Sequence, residues 1–198
     1  MTPPRPSIFY SAIALLSWPV VGALFRYRTD GREHLPEGGY VLAAGHVSNL
    51  DPWALGLALW PRRFLRFMAK SELFWFPLGP LIRAGGAFRV HRGRADREAI
   101  QTAVDLARAG HVIAMFPEGT RRRKGLRKKF SPQAHTGAAR IAIEAGVPLV
   151  PAGIKGTDGL RRLQRWRVRY GAPIELSDDP AEVTERLMAR IRELEESL

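Results

Sequence analysis

Short, nearly uncharged apolar runs alternate along the chain with stretches whose apolar residues recur at helical spacing, and this alternation limits the possible folds more than any other feature. YVLAA (40–44) and VIAMF (112–116) read as buried strands, the second stopping at Pro117. Residues 64–69, 87–90, 148–154 and 166–170 read as further strands. Asp51-Pro52 resembles an N-cap followed by an N1 proline and predicts a helix through about residue 59. Residues 96–109 place Ala99, Ile100, Ala103, Val104 and Ala107 on one face and end at Gly110. Residues 133–145 form a third helical stretch, closed by Gly146. In 181–198, Val183, Leu187, Ile191, Leu194 and Leu198 point inward behind an Asp179 cap and Pro180 at N1. The pattern predicts an α/β fold: a single domain with a mixed central sheet flanked by helices. In such folds ligands collect outside the carboxyl ends of the strands.

At 198 residues, 45% of them hydrophobic, the chain can bury a sizeable core. It contains no cysteine, which excludes disulfides, thiolate metal sites and a cysteine nucleophile. A net charge of +12 calls for a polyanionic neighbour: nucleic acid, an anionic membrane surface or a phosphorylated substrate. Residues 6–25 choose among these, because they carry no charged side chain and are flanked by Arg5 on one side and Arg26 and Arg28 on the other. Pro19 interrupts this run and Ser7, Ser11 and Ser17 dilute it, so the expectation is a kinked or hairpin element lying in the membrane interface. Tyr10, Trp18 and Tyr27 would sit near headgroup level, with the arginines facing anionic lipid. A buried core helix is the alternative. A cleaved signal peptide fits less well, since no small-x-small site is evident and arginines follow at once. The organisation is therefore read as a membrane-associating segment, 1–30, and one folded domain, 31–198. Nucleic acid is not an expected partner, because charge alone favours it and no recognition motif is present.

Two strand ends carry groups suited to chemistry. GHVSNLD follows the first buried strand and puts His46 five residues before Asp51, while Glu118 follows VIAMF within FPEGTRR. Imidazole is matched to taking a proton near neutral pH, and a carboxylate on its second nitrogen would fix the tautomer. Spacing also allows plainer roles, Asp51 as a helix cap and His46 as an ordinary loop histidine. His46, Asp51 and Glu118 could ligate a cation, but no H-x3-H or C-x2-C pattern supports a metal site.

HVSNLD resembles the H-x4-D signature of the glycerolipid acyltransferase superfamily, and FPEGTRR resembles its F-P-E-G-T-R-S block. GAFRVHR (86–92) looks like its second motif and VPLVPAGI (147–154) is similar to its fourth. The four occur in family order over roughly residues 38–176. Gly45 stands where asparagine is common, His91 where an acid is frequent and Arg122 where serine is usual. These departures bear on acceptor specificity rather than on reaction class.

The resemblance implies a site for a glycerol phosphate. Arg92 and Arg121 would pair the phosphate, Glu118 would accept from a glycerol hydroxyl or orient Arg121, and Gly119 and Thr120 complete the loop. His46 would deprotonate the hydroxyl as it attacks an acyl thioester, with Asp51 orienting His46 and backbone N–H groups at the Asp51 helix start meeting the oxyanion. No cofactor, metal or covalent enzyme intermediate is implied; acyl-CoA or acyl carrier protein is the co-substrate. The expected acceptor is a 1-acylglycerol-3-phosphate, with another lysolipid or a glycolipid as the alternative. The expected partners are the membrane lipid substrate, an anionic membrane surface and, as alternative donor, acyl carrier protein. The expected location is the cytoplasmic face of the cell membrane, held in monotopic or peripheral fashion.

Overall fold

Seven strands make one sheet in the order β1-β7-β6-β2-β5-β3-β4. They are β1 (Arg28–Asp30), β2 (Tyr40–Ala44), β3 (Leu65–Lys70), β4 (Ala87–Val90), β5 (Val112–Met115), β6 (Leu149–Lys155) and β7 (Arg167–Tyr170). The computed structural model describes residues 4, 6–90, 96–118 and 134–198. Strands β6, β2, β5, β3 and β4 run parallel, whereas β7 runs antiparallel to β6 and carries β1 parallel to itself at the far edge. The sheet is thus mixed, as the sequence pattern predicts.

β2 is buried at every position, which explains its lack of polar residues. Tyr40, Leu42 and Ala44 enter one core layer while Val41 and Ala43 enter the other. The first layer is closed by α1 (Ile8–Phe25) and α2 (Asp51–Leu59), the second by α4 (Asp96–Arg108), α5 (Gly137–Ala145) and α6 (Pro180–Glu196). The short α3 (Leu78–Ala84) lies beside the edge strand β4. Local chemistry explains several ends. Asp179 accepts from the Ala181 N–H at 2.8 Å to start α6. Gly110 and Gly146 take positive φ, +89° and +65°, where α4 and α5 stop.

The N-terminal segment is helical and apolar, as expected, and only the hairpin and core-helix readings of it are corrected. It is one continuous helix with Pro19 inside, opened by Ser7, whose hydroxyl accepts from the Tyr10 N–H at 3.1 Å, so no hairpin forms. It is not a core helix either. Ala14, Val21 and Phe25 are buried, while Leu15, Leu16, Val20 and Leu24 are at least half exposed. The inner stripe is tied in by Phe25, which stacks on Trp166 at 4.6 Å. Around that pair the Trp166 N–H donates to the Phe25 carbonyl and the Arg28 N–H to the Trp166 carbonyl. Two of the three aromatic residues expected at headgroup level face the protein instead. Tyr10 meets Phe64 edge-on at 5.6 Å, and the Tyr27 hydroxyl donates to the Ala54 carbonyl at 2.5 Å. Burial pushes the Tyr27 phenol well above its ordinary range. Trp18 alone of the three is exposed, edge-on to Tyr27 at 5.8 Å.

Candidate active site

The carboxyl ends of three neighbouring parallel strands, β6, β2 and β5, converge on one edge of the sheet. The chain leaving β2 carries His46, the chain leaving β5 carries Glu118 and the chain leaving β6 carries Thr157. β2 lies between β6 and β5, and the chain proceeds from β2 toward β3 on one side but from β6 toward β7 on the other, so the crevice opens where the strand order reverses.

Asp51 organises this edge. Its side chain is completely buried. One carboxylate oxygen, Oδ2, accepts from His46 Nδ1, the Val47 N–H and the Ser48 N–H, each at 2.8 Å. The other, Oδ1, accepts from the Thr157 hydroxyl at 2.5 Å. The expected cap is therefore corrected: Leu50 occupies the N-cap position of α2 and Asp51 lies in its first turn. Its carboxylate points back into the loop, because the loop's donors and Thr157 outnumber what a capping role would satisfy.

His46 is fixed from two sides. Nδ1 donates to the carboxylate, which sets the tautomer and leaves the lone pair on Nε2. The ring stacks on Phe116, with centroids 4.2 Å apart and planes 24° from parallel. The imidazole keeps 18% of its surface exposed, enough for Nε2 to meet a substrate at the crevice. Glu118 is buried behind Pro117. The His135 N–H donates to the Pro117 carbonyl at 2.8 Å, so the chain ends flanking 119–133 meet beside Glu118.

Arg92, Gly119, Thr120 and Arg121 lie outside the described residues, as do His91 and the basic run 122–129. Four backbone N–H groups at the helix start are engaged within the loop itself. The Val47 and Ser48 N–H groups serve Asp51, the Leu50 N–H donates to Ser48 Oγ, and the Asp51 N–H donates to the Ser48 carbonyl. Pro52 has no N–H, so of the backbone donors in this turn Asn49 and Trp53 are the ones outside these bonds.

Sequence reading missed Thr157 and the role of Phe116 as a platform for the histidine ring. A signal was available for the first. Thr157 follows a strand end, and Gly156 before it takes φ +90°, where an added Cβ would run into the Arg165 carbonyl.

A family model described as Acyltransferase matches residues 26–155. The chain is 31% identical over 182 residues to a 1-acyl-sn-glycerol-3-phosphate acyltransferase of Bacillus subtilis, covering 84% of this chain and 87% of that protein. A protein of the same name from Haemophilus influenzae is 30% identical, covering 89% and 72%. The match to the chloroplast protein of Brassica napus, at 31% identity, covers 75% of this chain but only 43% of the longer relative. Among solved structures, the crystal structure of the 1-acyl-sn-glycerophosphate acyltransferase PlsC from Thermotoga maritima superposes with a TM-score of 0.66 at 26% identity, covering 93% of this chain and 79% of that one.

Proposed function

Because the chain belongs to the acyltransferase family, we propose that it transfers a fatty acyl group from an acyl thioester to the free hydroxyl of 1-acylglycerol-3-phosphate, giving phosphatidic acid for phospholipid synthesis. That it is an O-acyltransferase follows from kinship. The observation that best supports the mechanism is the chain of contacts from Thr157 through Asp51 to His46, which leaves Nε2 as the proton acceptor. In this reading His46 Nε2 takes the proton of the glycerol hydroxyl as its oxygen attacks the thioester carbonyl. The C–S bond then breaks and the imidazolium returns the proton to the departing thiolate. A thiol, with a pKa of about 8.5, leaves far more readily than an alkoxide, so generating the nucleophile is the main task. Acyl-CoA and acyl carrier protein both offer such a thioester, and no cofactor or metal enters the proposed steps.

Arg92 and Arg121 are proposed to pair the acceptor's phosphate, with Glu118, Gly119 and Thr120 lining the same loop. An arginine–phosphate contact is charge-assisted, so Arg92→Ala or Arg121→Ala is expected to cost about 1.5–3 kcal/mol, roughly 10- to 150-fold in kcat/KM for lysophosphatidic acid. Lysine at either position should restore only part, lacking the planar fork. Thiol release with lysophosphatidic acid, matched monoacylglycerol and both donors, followed by mass spectrometry of products, tests the reading. Equal or better use of the uncharged acceptor would replace it with the glycolipid or other lysolipid alternative, which His91 and Arg122 at the ends of the second and third motifs keep open.

The enzyme is proposed to rest on the cytoplasmic face of the cell membrane through α1. By length and composition this helix is long and apolar enough to cross a bilayer. Its inner stripe, however, packs on the domain from Tyr10 to Phe25, which supports an in-plane arrangement. Leu73, Trp75 and Phe76, exposed just beyond β3, and Leu160 and Leu163 beyond β6, extend the apolar surface around the carboxyl edge. Removing residues 1–28 would also strip Ala14, Val21 and Phe25 from the core, so the cleaner test changes only the outer face. With Leu15, Leu16, Val20 and Leu24 all replaced by asparagine, vesicle partitioning is expected to fall by at least about 100-fold, since each lost apolar side chain removes up to about 1.5–3 kcal/mol of burial. Flotation with anionic and neutral liposomes measures this. Unchanged flotation with an intact circular dichroism spectrum would place the anchor elsewhere.

A further inference from the structure

We propose that Thr157 is a positioning residue for acyl transfer, holding the Asp51 carboxylate in the one orientation that aims His46 Nε2 at the acceptor hydroxyl. The proposal rests on the reading of His46 as the base. A carboxylate whose contacts were all on one oxygen could rotate about its Cβ–Cγ bond. Here His46, Val47 and Ser48 crowd Oδ2, and Thr157 alone among the described residues engages Oδ1. Those donors on Oδ2 belong to the same short loop as Asp51, so they move with it. Thr157 comes from the end of β6, 106 residues away, and is the bond that references the loop to the sheet.

The geometry around Thr157 suits that task. It is buried, with 1% of its surface exposed, so its hydroxyl is sheltered from competing water. Gly156, in the left-handed region at φ +90°, turns the chain directly after β6 and leaves no room for a side chain against the Arg165 carbonyl. Two rigid strands, β2 and β6, are paired in register from Val41↔Leu149 to Ala44↔Ala152, so the distance between their carboxyl ends is set by the sheet. The Thr157 hydroxyl spans that distance and fixes the acid, and the acid fixes the histidine.

The test compares purified full-length wild type with Thr157→Val, Thr157→Ala and Thr157→Ser. The assay is thiol release from a short-chain acyl-CoA with a soluble lysophosphatidic acid. Valine keeps the volume and removes the hydroxyl; it should lower kcat by about 5- to 100-fold, the range for losing one buried hydrogen bond. KM for both substrates should stay within about twofold, and serine should return kcat to within about threefold of wild type. In proton NMR, the low-field resonance of the His46 Nδ1–H should broaden or move in Thr157→Val and recover in Thr157→Ser. Wild-type kcat in Thr157→Val overturns the proposal, as does a serine variant no better than valine. Should valine not fold, alanine, which adds no atoms, carries the same comparison, and failure of both to fold assigns Thr157 a structural role and also overturns it. His46→Ala distinguishes the underlying reading: near-wild-type activity there faults the base itself, whereas an inactive His46→Ala beside a fully active Thr157→Val faults only the positioning role.

Discussion

His46→Ala should lower kcat/KM by roughly 10²- to 10⁴-fold, the span of general-base contributions, while leaving thermal unfolding close to wild type. Activity falls because the variant loses the nitrogen proposed to accept the hydroxyl proton. The fold is kept because the imidazole sits at the crevice, where among the described residues it meets the Phe116 ring and one Asp51 oxygen that also has two backbone donors. Thiol release and a circular dichroism melt on the same preparation separate the two effects. Activity within a few-fold of wild type would remove His46 from the role of base.

Asp51 is expected to behave differently, because it serves both the reaction and the architecture. Asp51→Ala leaves the Val47 and Ser48 N–H groups, His46 Nδ1 and the Thr157 hydroxyl without their acceptor. A buried donor left unpaired, as Thr157 would be, costs about 1–3 kcal/mol and the part-buried donors His46, Val47 and Ser48 cost less each, so the total loss is on the order of 3 kcal/mol. That is a large share of the roughly 5–15 kcal/mol typical of a whole domain. Asp51→Asn should fold, since one amide oxygen can replace Oδ2 and the amide nitrogen can donate to the Thr157 oxygen, but it should turn over about 10- to 10³-fold more slowly for want of the negative charge behind His46. Urea titration and steady-state kinetics on both variants provide the measurements. An alanine variant as stable as wild type would show that the loop is held without the carboxylate.

The two Asp51 variants also mark where sequence reading stopped. Asp-Pro ahead of a helical stretch describes a capping residue and an active-site carboxylate equally well, because both use the same short spacing. The choice between them is made by Thr157, which no local pattern links to Asp51. Fully apolar runs such as 40–44 and 112–116 were legible as strands because burial on both faces leaves one composition. Helix α6 was legible because cap, N1 proline and inward stripe agree along it. The strand β1 was not: Arg28, Thr29 and Asp30 are polar, and they become a strand only by pairing with Arg167, Val168 and Arg169. The start of α5 at Gly137, rather than near 133, and the short α3 among prolines and glycines were likewise set by tertiary packing over local preference. In the site, family-like motifs pointed to His46, Asp51 and Glu118, whereas the platform beneath the imidazole and the brace behind the acid appear only when three strand ends are side by side.

The stacking of Phe25 on Trp166 bears on the order in which the molecule can be completed. Helix α1 is made before the sheet, yet Trp166, on which Phe25 stacks, and the strand that receives β1 are made more than a hundred residues later. Until Trp166 is made, then, Phe25 lacks its stacking partner, and the helix offers a largely apolar, uncharged surface. A bilayer can shelter such a helix from both sides at once. On the proposed membrane reading, the inner stripe would exchange lipid for Trp166 and the sheet as β6 and β7 form, and the outer stripe would keep its lipid. The same helix would thus protect the unfinished chain before it anchors the finished enzyme, and its proline would be carried through both roles.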